Sequence, residues 1–351
     1  MLTFLAGVMA ARAEGPPVVF FPASTAPSLV LDIAAATDLV VIEPLIRDFQ
    51  TLHPEIAIRY RDFQTTDLFS LLQRSCAGDG RADLALSSAV DELVKLANDG
   101  CALAHTSPGV DALPSFARWR NEVIGVTYEP AVIVYNRLLV PPGEVPHSRA
   151  ALIDLLRTQP KAYDGLIGSY DIERAAVGYL LASFDAENST IFGRLLEAFG
   201  RSHLRELPRS ADLLAELADG KLKIAYNVLG SYAYRALLAG APIGIVLPRD
   251  YVLVLRRGAM IPKNSAQPRL AAAFIDYLLS PRGQATASAR AFYFTPDGPL
   301  PRGVEGTSRL SAGDSVRSIP VGPELLAVQD RARRKRFLGL WRQALGKPLA
   351  D

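Results

Sequence analysis

Residues 28–60 read SLVLDIAAATDLVVIEPLIRDFQTLHPEIAIRY. Ser28 to Ile33 is a run of strand formers. After the short segment Ala34 to Asp38, Val41, Leu45, Phe49 and Leu52 recur at helical spacing, which predicts a helix over Leu39 to Leu52. His53-Pro54 closes it, because proline disfavours the helical conformation in the residue before it. Ile56 to Tyr60 then alternates apolar and polar side chains, as a half-buried strand does. The same order repeats downstream. Gln64-Thr65-Thr66-Asp67 opens a helix carrying Leu68, Leu71 and Leu72. Ala82 to Leu86 is a strand, Ser87-Ser88 follow, and a helix runs from Val90 to Asn98 before Asp99-Gly100. Strands alternating with helices at this spacing predict parallel βα units in an α/β fold.

Upstream, Gly15 to Pro27 is rich in Pro, Ser and Ala and reads as an extended lead-in. Further along, Val123–Val126 and Ala131–Tyr135 read as strands, and Arg149–Arg157 as a helix. A second α/β region opens at Leu166-Ile167-Gly168, with Ser169-Tyr170-Asp171 at its end and a helix through Val177 to Phe184. Leu222–Tyr226, Ile243–Leu247 and Tyr251–Leu255 are strand runs. A helix to Leu238 follows the segment Asn227 to Tyr234, and another covers Ala266–Leu279. A Gly/Pro/Ser-rich tail from Pro296 to Pro323 leads to a last helix over Glu324–Leu345.

With 351 residues, the chain is long enough for two domains. Its 49% hydrophobic and 21% charged residues are ordinary for a folded protein. A formal charge of only +2, from 38 basic and 36 acidic side chains, speaks against nucleic acid as the partner. The basic run Arg331–Arg336 sits on a helix whose apolar face is Phe337, Leu340, Trp341 and Leu345, the pattern of a solvated helix face; binding to nucleic acid or to a membrane protein is the other reading. Met1 to Ala13, MLTFLAGVMAARA, combines a short apolar stretch with a small-x-small ending, although no Lys or Arg precedes that stretch. It reads as a signal peptide at 1–13; a buried or frayed N-terminal helix is the other reading. Export would place Cys76 and Cys101 in an oxidising compartment. The two cysteines end consecutive βα units at the edge away from the strands' carboxyl ends. A Cys76–Cys101 disulfide is therefore expected, closing a loop of about 25 residues.

Ligands of open parallel α/β sheets bind beyond the strands' carboxyl ends. Five such ends carry short polar residues: Thr37-Asp38, Thr65-Thr66, Ser87-Ser88, Ser169-Tyr170 and Ser231-Tyr232. Each is either a helix cap or part of a cleft in which free N–H groups and hydroxyls hold an anion. Asn227, Arg174, Arg249 and Asp250 join the candidate set. Either arginine fits a carboxylate or phosphate, or a structural ion pair with Asp171 or Asp250. The four histidines form no HExxH spacing, and neither a GxSxG elbow nor a phosphate-binding GxxxxGK[ST] loop is present. No catalytic residue, metal site or cofactor is expected.

Four segments resemble the type II periplasmic substrate-binding proteins of ABC importers, closest to the branch of ferric-iron, phosphosugar and phosphoglycerate binders. They are Glu43–Phe49 running to His53-Pro54, Ala82–Ser88 with its helix to Gly100, Tyr128–Asn136, and Ile261-Pro262-Lys263 with Ala271–Gln284. The resemblance implies two lobes joined by two crossing strands that act as a hinge. Residues 28–127 with 251–351 would form lobe 1 and residues 128–247 lobe 2, with crossings near 128–130 and 248–250. It also implies a soluble, monomeric periplasmic protein that carries a small-molecule anion to an ABC permease. The same fold also serves as a sensor for a membrane histidine kinase, and an exported hydrolase is the reading from another class. Iron-binding members use two adjacent tyrosines. Tyr232 matches one, but Ser231 stands in place of the other, Tyr234 is two residues on, and residues 34–37 hold no histidine. An organic or phosphorylated anion therefore fits better than ferric ion.

Overall fold

The computed structural model describes residues 16–26, 29–289, 300–306 and 315–348. The expected leader, 1–13, lies outside the described residues. The first elements are β1 (Val18–Phe21), β2 (Leu29–Ala36), α1 (Leu39–Leu52), β3 (Ile56–Asp62), α2 (Thr65–Cys76), β4 (Leu84–Ser87), α3 (Val90–Asn98), β5 (Ala102–Leu103), α4 (Pro108–Asp111), β6 (Arg118–Trp119) and β7 (Val123–Gly125). The middle of the chain forms β8 (Glu129–Asn136), α5 (Arg149–Thr158), β9 (Ile167–Tyr170), α6 (Ala176–Asn188), α7 (Phe192–Arg201), β10 (Arg205–Leu207), α8 (Ser210–Ala218), β11 (Ile224–Leu229), α9 (Gly230–Leu238), β12 (Ile243–Val246) and β13 (Val252–Leu255). The last part contributes β14 (Gly258–Pro262), α10 (Pro268–Leu279), α11 (Pro281–Ala289), β15 (Val304–Glu305), β16 (Val316–Ser318), α12 (Leu325–Val328) and α13 (Arg331–Ala344).

Two mixed sheets result, one per lobe. The first has the order β1-β3-β2-β4-β14-β7-β6, with β5 on β14. Its centre is parallel: Leu29 pairs with Ile56 and Ile33 with Leu84. α1 buries Val41, Ile42, Leu45, Ile46 and Phe49 against it. β1, which the sequence presents as part of an extended lead-in, pairs antiparallel with β3 as an edge strand. The second sheet has the order β10-β9-β11-β8-β12-β15, with β13 on β8 and β16 on β13. β8 is buried along all eight residues, so it holds the middle of this sheet with its partners antiparallel.

The chain leaves the first sheet at Val126–Tyr128 and returns at Arg256–Arg257. These crossings lie side by side. Val126 N–H donates to Arg257 O at 2.9 Å, and Arg257 N–H to Thr127 Oγ1 at 2.8 Å. The return thus falls later than the expected 248–250, because Val254 and Leu255 stay paired with Pro130 and Glu129. The tail also departs from expectation. β13, β15 and β16 belong to the second sheet rather than to lobe 1. α12 packs on α3, whereas α13 lies on the second lobe, where Arg342 pairs with Glu173 and Trp341 Nε1 donates to Glu206 at 2.8 Å. The expected single helix over Glu324–Leu345 is broken at Gln329-Asp330, since Asp330 caps α13 by accepting from Arg333 N–H.

Cys76 and Cys101 form a disulfide with Cα atoms 5.2 Å apart. It ties the end of α2 to the segment after α3.

Candidate functional site

A cavity of about 50 Å³ lies between the lobes, beyond the carboxyl ends of the parallel strands. The first lobe lines it with Ala36, Asp38, Phe63, Gln64, Thr65 and Ser88. The second lines it with Tyr170, Ala175, Val177, Pro208, Arg209, Ser210, Leu229 and Tyr232. These residues lie at the starts of six helices: α1, α2 and α3 from one side, α6, α8 and α9 from the other. In none of the six does the N-cap side chain bond the first turn. Away from the cleft, Ser107, Ser148 and Asp330 do cap α4, α5 and α13 in that way. Each N-terminus carries a partial positive charge and N–H groups without an intrahelical partner. Close packing brings one of them in: a Cβ at Gly178 would collide with Tyr170, so glycine lets α6 sit against β9.

Hydrogen bonds join the lobes around the cavity. Asp38 N–H donates to the Tyr232 hydroxyl at 3.2 Å, and Ala176 N–H donates to Thr65 Oγ1 at 3.1 Å. Arg209, on the second lobe, pairs with Asp38 and stands 3.8 Å from Asp62, both on the first. Burial alone would lower the Arg209 pKa, but Asp38 and then Asp62 hold it above its usual value. Burial, and next the charge of Asp38, push the Asp62 carboxyl up to about 6. Beneath this trio, fully buried Arg257 donates to Ala36 O at 2.9 Å and Thr37 Oγ1 at 2.7 Å, and pairs with Glu129 at 3.4 Å. Glu129 also accepts from Ser231 Oγ, and from Thr127 Oγ1 at 2.8 Å. The Arg257–Glu129 pair is balanced within itself, whereas Arg209 faces two carboxylates.

The expected site residues divide into three groups. Asp38, Thr65, Ser88, Tyr170 and Tyr232 line the cavity. Tyr170 is fixed there by Ser210 Oγ at 2.5 Å, whereas no described hydrogen bond uses the Ser88 hydroxyl. Thr37, Ser87, Ser169 and Ser231 sit just behind, buried and spoken for. Thr37 accepts from Arg257, Ser87 Oγ accepts from Ala89 N–H, Ser169 Oγ donates to Tyr226 O, and Ser231 Oγ donates to Glu129. Thr66 is half-buried at the start of α2 without lining the cavity. The third group lies outside. Arg174 and Arg249 are exposed, their backbone N–H groups bonded to Asp171 Oδ1 and His147 O. Asp250 accepts from Arg149 rather than from Arg249. Asn227 has φ +57° at an irregularity in β11, a conformation asparagine tolerates. Its side chain donates to buried Asp185 at 2.6 Å, away from the cleft.

Sequence reading misses Arg209, Asp62, Phe63, Gln64 and Ser210. A signal for Arg209 exists. Pro208-Arg209-Ser210 precedes Leu213, Leu214 and Leu217, a polar junction before a helical apolar pattern like the other five.

Two α/β lobes, a double crossing and a cleft ringed by helix N-termini define a solute-binding protein. Residues 31–292 match the family described as bacterial extracellular solute-binding protein, and the chain belongs to that family. Among solved structures it is similar to the substrate binding protein of the ABC transporter from Agrobacterium tumefaciens. Identity is 31% and the TM-score 0.86, covering 95% of this chain and 100% of that one. Iron-bound HitA from Pseudomonas aeruginosa is 17% identical, with a TM-score of 0.67 over 90% of this chain and 99% of that one. AfuA from Actinobacillus pleuropneumoniae, with fructose-6-phosphate bound, is 16% identical, with a TM-score of 0.66 over 91% and 98%. The last two share the fold. No curated protein matches by sequence. No helix among the described residues is long and apolar enough to cross a membrane.

Proposed function

We propose that this protein captures a compact anionic solute, an organic carboxylate or a phosphorylated or related oxyanion, in the periplasm and hands it to an ABC permease. The observation that carries the reading is the convergence of six helix N-termini, hydroxyl groups and Arg209 on one cavity. An anion there meets N–H donors and a guanidinium fork at once. The cavity volume, about 50 Å³, corresponds to roughly three to five waters at 10–15 Å³ each, which favours a small solute. Ferric ion fits less well. Ser231 holds the place of a second adjacent tyrosine and gives its hydroxyl to Glu129, and the Tyr232 oxygen already accepts from Asp38 N–H.

The test is thermal unfolding with small carboxylates, phosphates, phosphonates and ferric ion. A ligand at 100 times its Kd stabilises by about 2.7 kcal/mol. Anions should raise the melting temperature of the natural protein and lose that effect in Arg209→Gln. Ser88→Ala and Tyr232→Phe should each weaken binding by about 1–3 kcal/mol. A response to ferric ion alone, removed by Tyr232→Phe, would overturn the reading.

A further inference from the structure

The charges around the cavity include more than an anion site needs. Among the described lining residues, Asp38 and Arg209 are the charged ones. Arg209 serves two carboxylates, since it pairs with Asp38 and lies 3.8 Å from Asp62. The nearby Arg257–Glu129 couple is balanced within itself, so it supplies no spare cation. Two acids therefore share one guanidinium. The sharing is incomplete: Asp62 Oδ1 is shut off from water and accepts no hydrogen bond. Its pKa is raised, first by burial and then by the Asp38 charge.

A solute anion that takes hydrogen bonds from Arg209 draws it away from these two carboxylates. They would be left close together in a closing cleft, each poorly solvated and repelling the other. The missing charge is positive, and the acidic acceptor that a solute donor in the cavity can reach is Asp38. A protonated amine meets both needs. Building on the proposed anion site, we infer that the solute is a compact zwitterion, with its acidic group held by Arg209 and the helix N-termini and its ammonium group held by Asp38, with Asp62 close behind adding negative charge.

Matched pairs that differ only in the amine test this: β-alanine against propionate, 2-aminoethylphosphonate against ethylphosphonate, and taurine against ethanesulfonate. Affinities are measured by titration calorimetry on the natural protein and on Asp38→Asn, Asp62→Asn and Arg209→Gln, each checked for folding by circular dichroism. At least one zwitterion should bind tenfold or more tighter than its nitrogen-free twin. The preference should collapse toward equality in whichever of the two Asp→Asn variants folds, whereas Arg209→Gln should weaken both members of the pair. Equal binding of the twins overturns the inference and leaves the anion reading intact. A preference that survives both Asp→Asn changes, or a set in which no zwitterion binds, also overturns it. Binding of ferric ion alone removes both readings.

Discussion

Arg149 and Arg209 each face two aspartates, yet the two clusters are built for opposite ends. Arg149 lies wholly inside the second lobe. Its guanidinium bonds Asp185 through Nε at 3.1 Å and Nη2 at 2.9 Å. It also reaches Asp250 at 3.2 Å and Tyr251 O at 2.8 Å. Asp185 in turn accepts from Tyr226, Tyr251 and Asn227 at 2.6–2.7 Å. The carboxylate's acceptor positions are filled, and the guanidinium stacks 3.6 Å from the Tyr251 ring centre. Arg209 is about a third exposed, spans the two lobes, and leaves Asp62 Oδ1 without a partner. A saturated buried network holds one arrangement, whereas an undersatisfied one across a cleft keeps capacity for something else. The two clusters use the same residue types, and what differs between them is the completeness of their hydrogen bonding.

That contrast breaks if the two arginines respond alike to removal. Arg149→Ala strands a buried carboxylate and should cost about 3–5 kcal/mol of stability in urea denaturation. Arg209→Ala removes a pair that is about a third exposed and should cost clearly less than Arg149→Ala, on the order of 1 kcal/mol, while abolishing solute binding. A large loss of stability from Arg209→Ala would make it a second structural pair and undo the distinction.

The disulfide sharpens the contrast from another direction. α2 begins at the cavity with Thr65 and ends at Cys76, 12 residues and about 18 Å away. Its bridge to Cys101 should therefore stabilise the first lobe without touching the solute. The double variant Cys76→Ser/Cys101→Ser should lose about 3 kcal/mol for the loop of 25 residues. Affinity should be unchanged by calorimetry at a temperature where the variant remains folded.

The sequence is most legible where periodicity acts locally. α1 and α3 have the bounds that their apolar spacing and stop signals predict. All five polar junctions before helices adjoin the cleft, because helices that follow parallel strands start at the same edge of the sheet. What sequence does not show depends on distant pairing. β14, with Gly258 and Pro262 at its ends, has weak strand character and exists through β4 and β7 beside it. β13 belongs to the second sheet through its bonds to β8, more than a hundred residues earlier. Arg209 and Asp38 are 171 positions apart. Asp62 falls outside the strand that alternation predicts, which ends at Tyr60, whereas pairing of Ala35 with Asp62 carries it two residues further. The expected arginines, Arg174 and Arg249, are close along the chain to Asp171 and to the predicted crossing, and chain proximity does not carry them into the cleft.

The smallest expected effect tests the undersatisfied cluster itself. Asp62 has a folded-state pKa near 6 against an ordinary 3.8, raised by burial first and by Asp38 second, with Arg209, the Leu39 N–H and Arg257 pulling it down. The folded protein therefore holds more of this proton than the unfolded chain between about pH 4 and 6. Stability contributed by the group falls as pH rises through that window and levels off above it. One proton limits the slope to about 1.4 kcal/mol per pH unit. Asp91, buried beside Gln329 and also raised to about 6, adds a slope of the same sign, so the measurement is a difference between variants. Urea denaturation of the natural protein and of Asp62→Asn from pH 4 to 7.5 should give curves whose separation changes through this window and is constant above about pH 7. The variant gains relative to the natural protein as pH rises, because asparagine has no charge to bury. Arg149→Ala should leave that pH-dependent difference intact, since its network lies in the other lobe. A separation that stays constant from pH 4 to 7.5 would show that Asp62 is satisfied in the folded protein, and the cleft cluster would then be as complete as the one around Asp185.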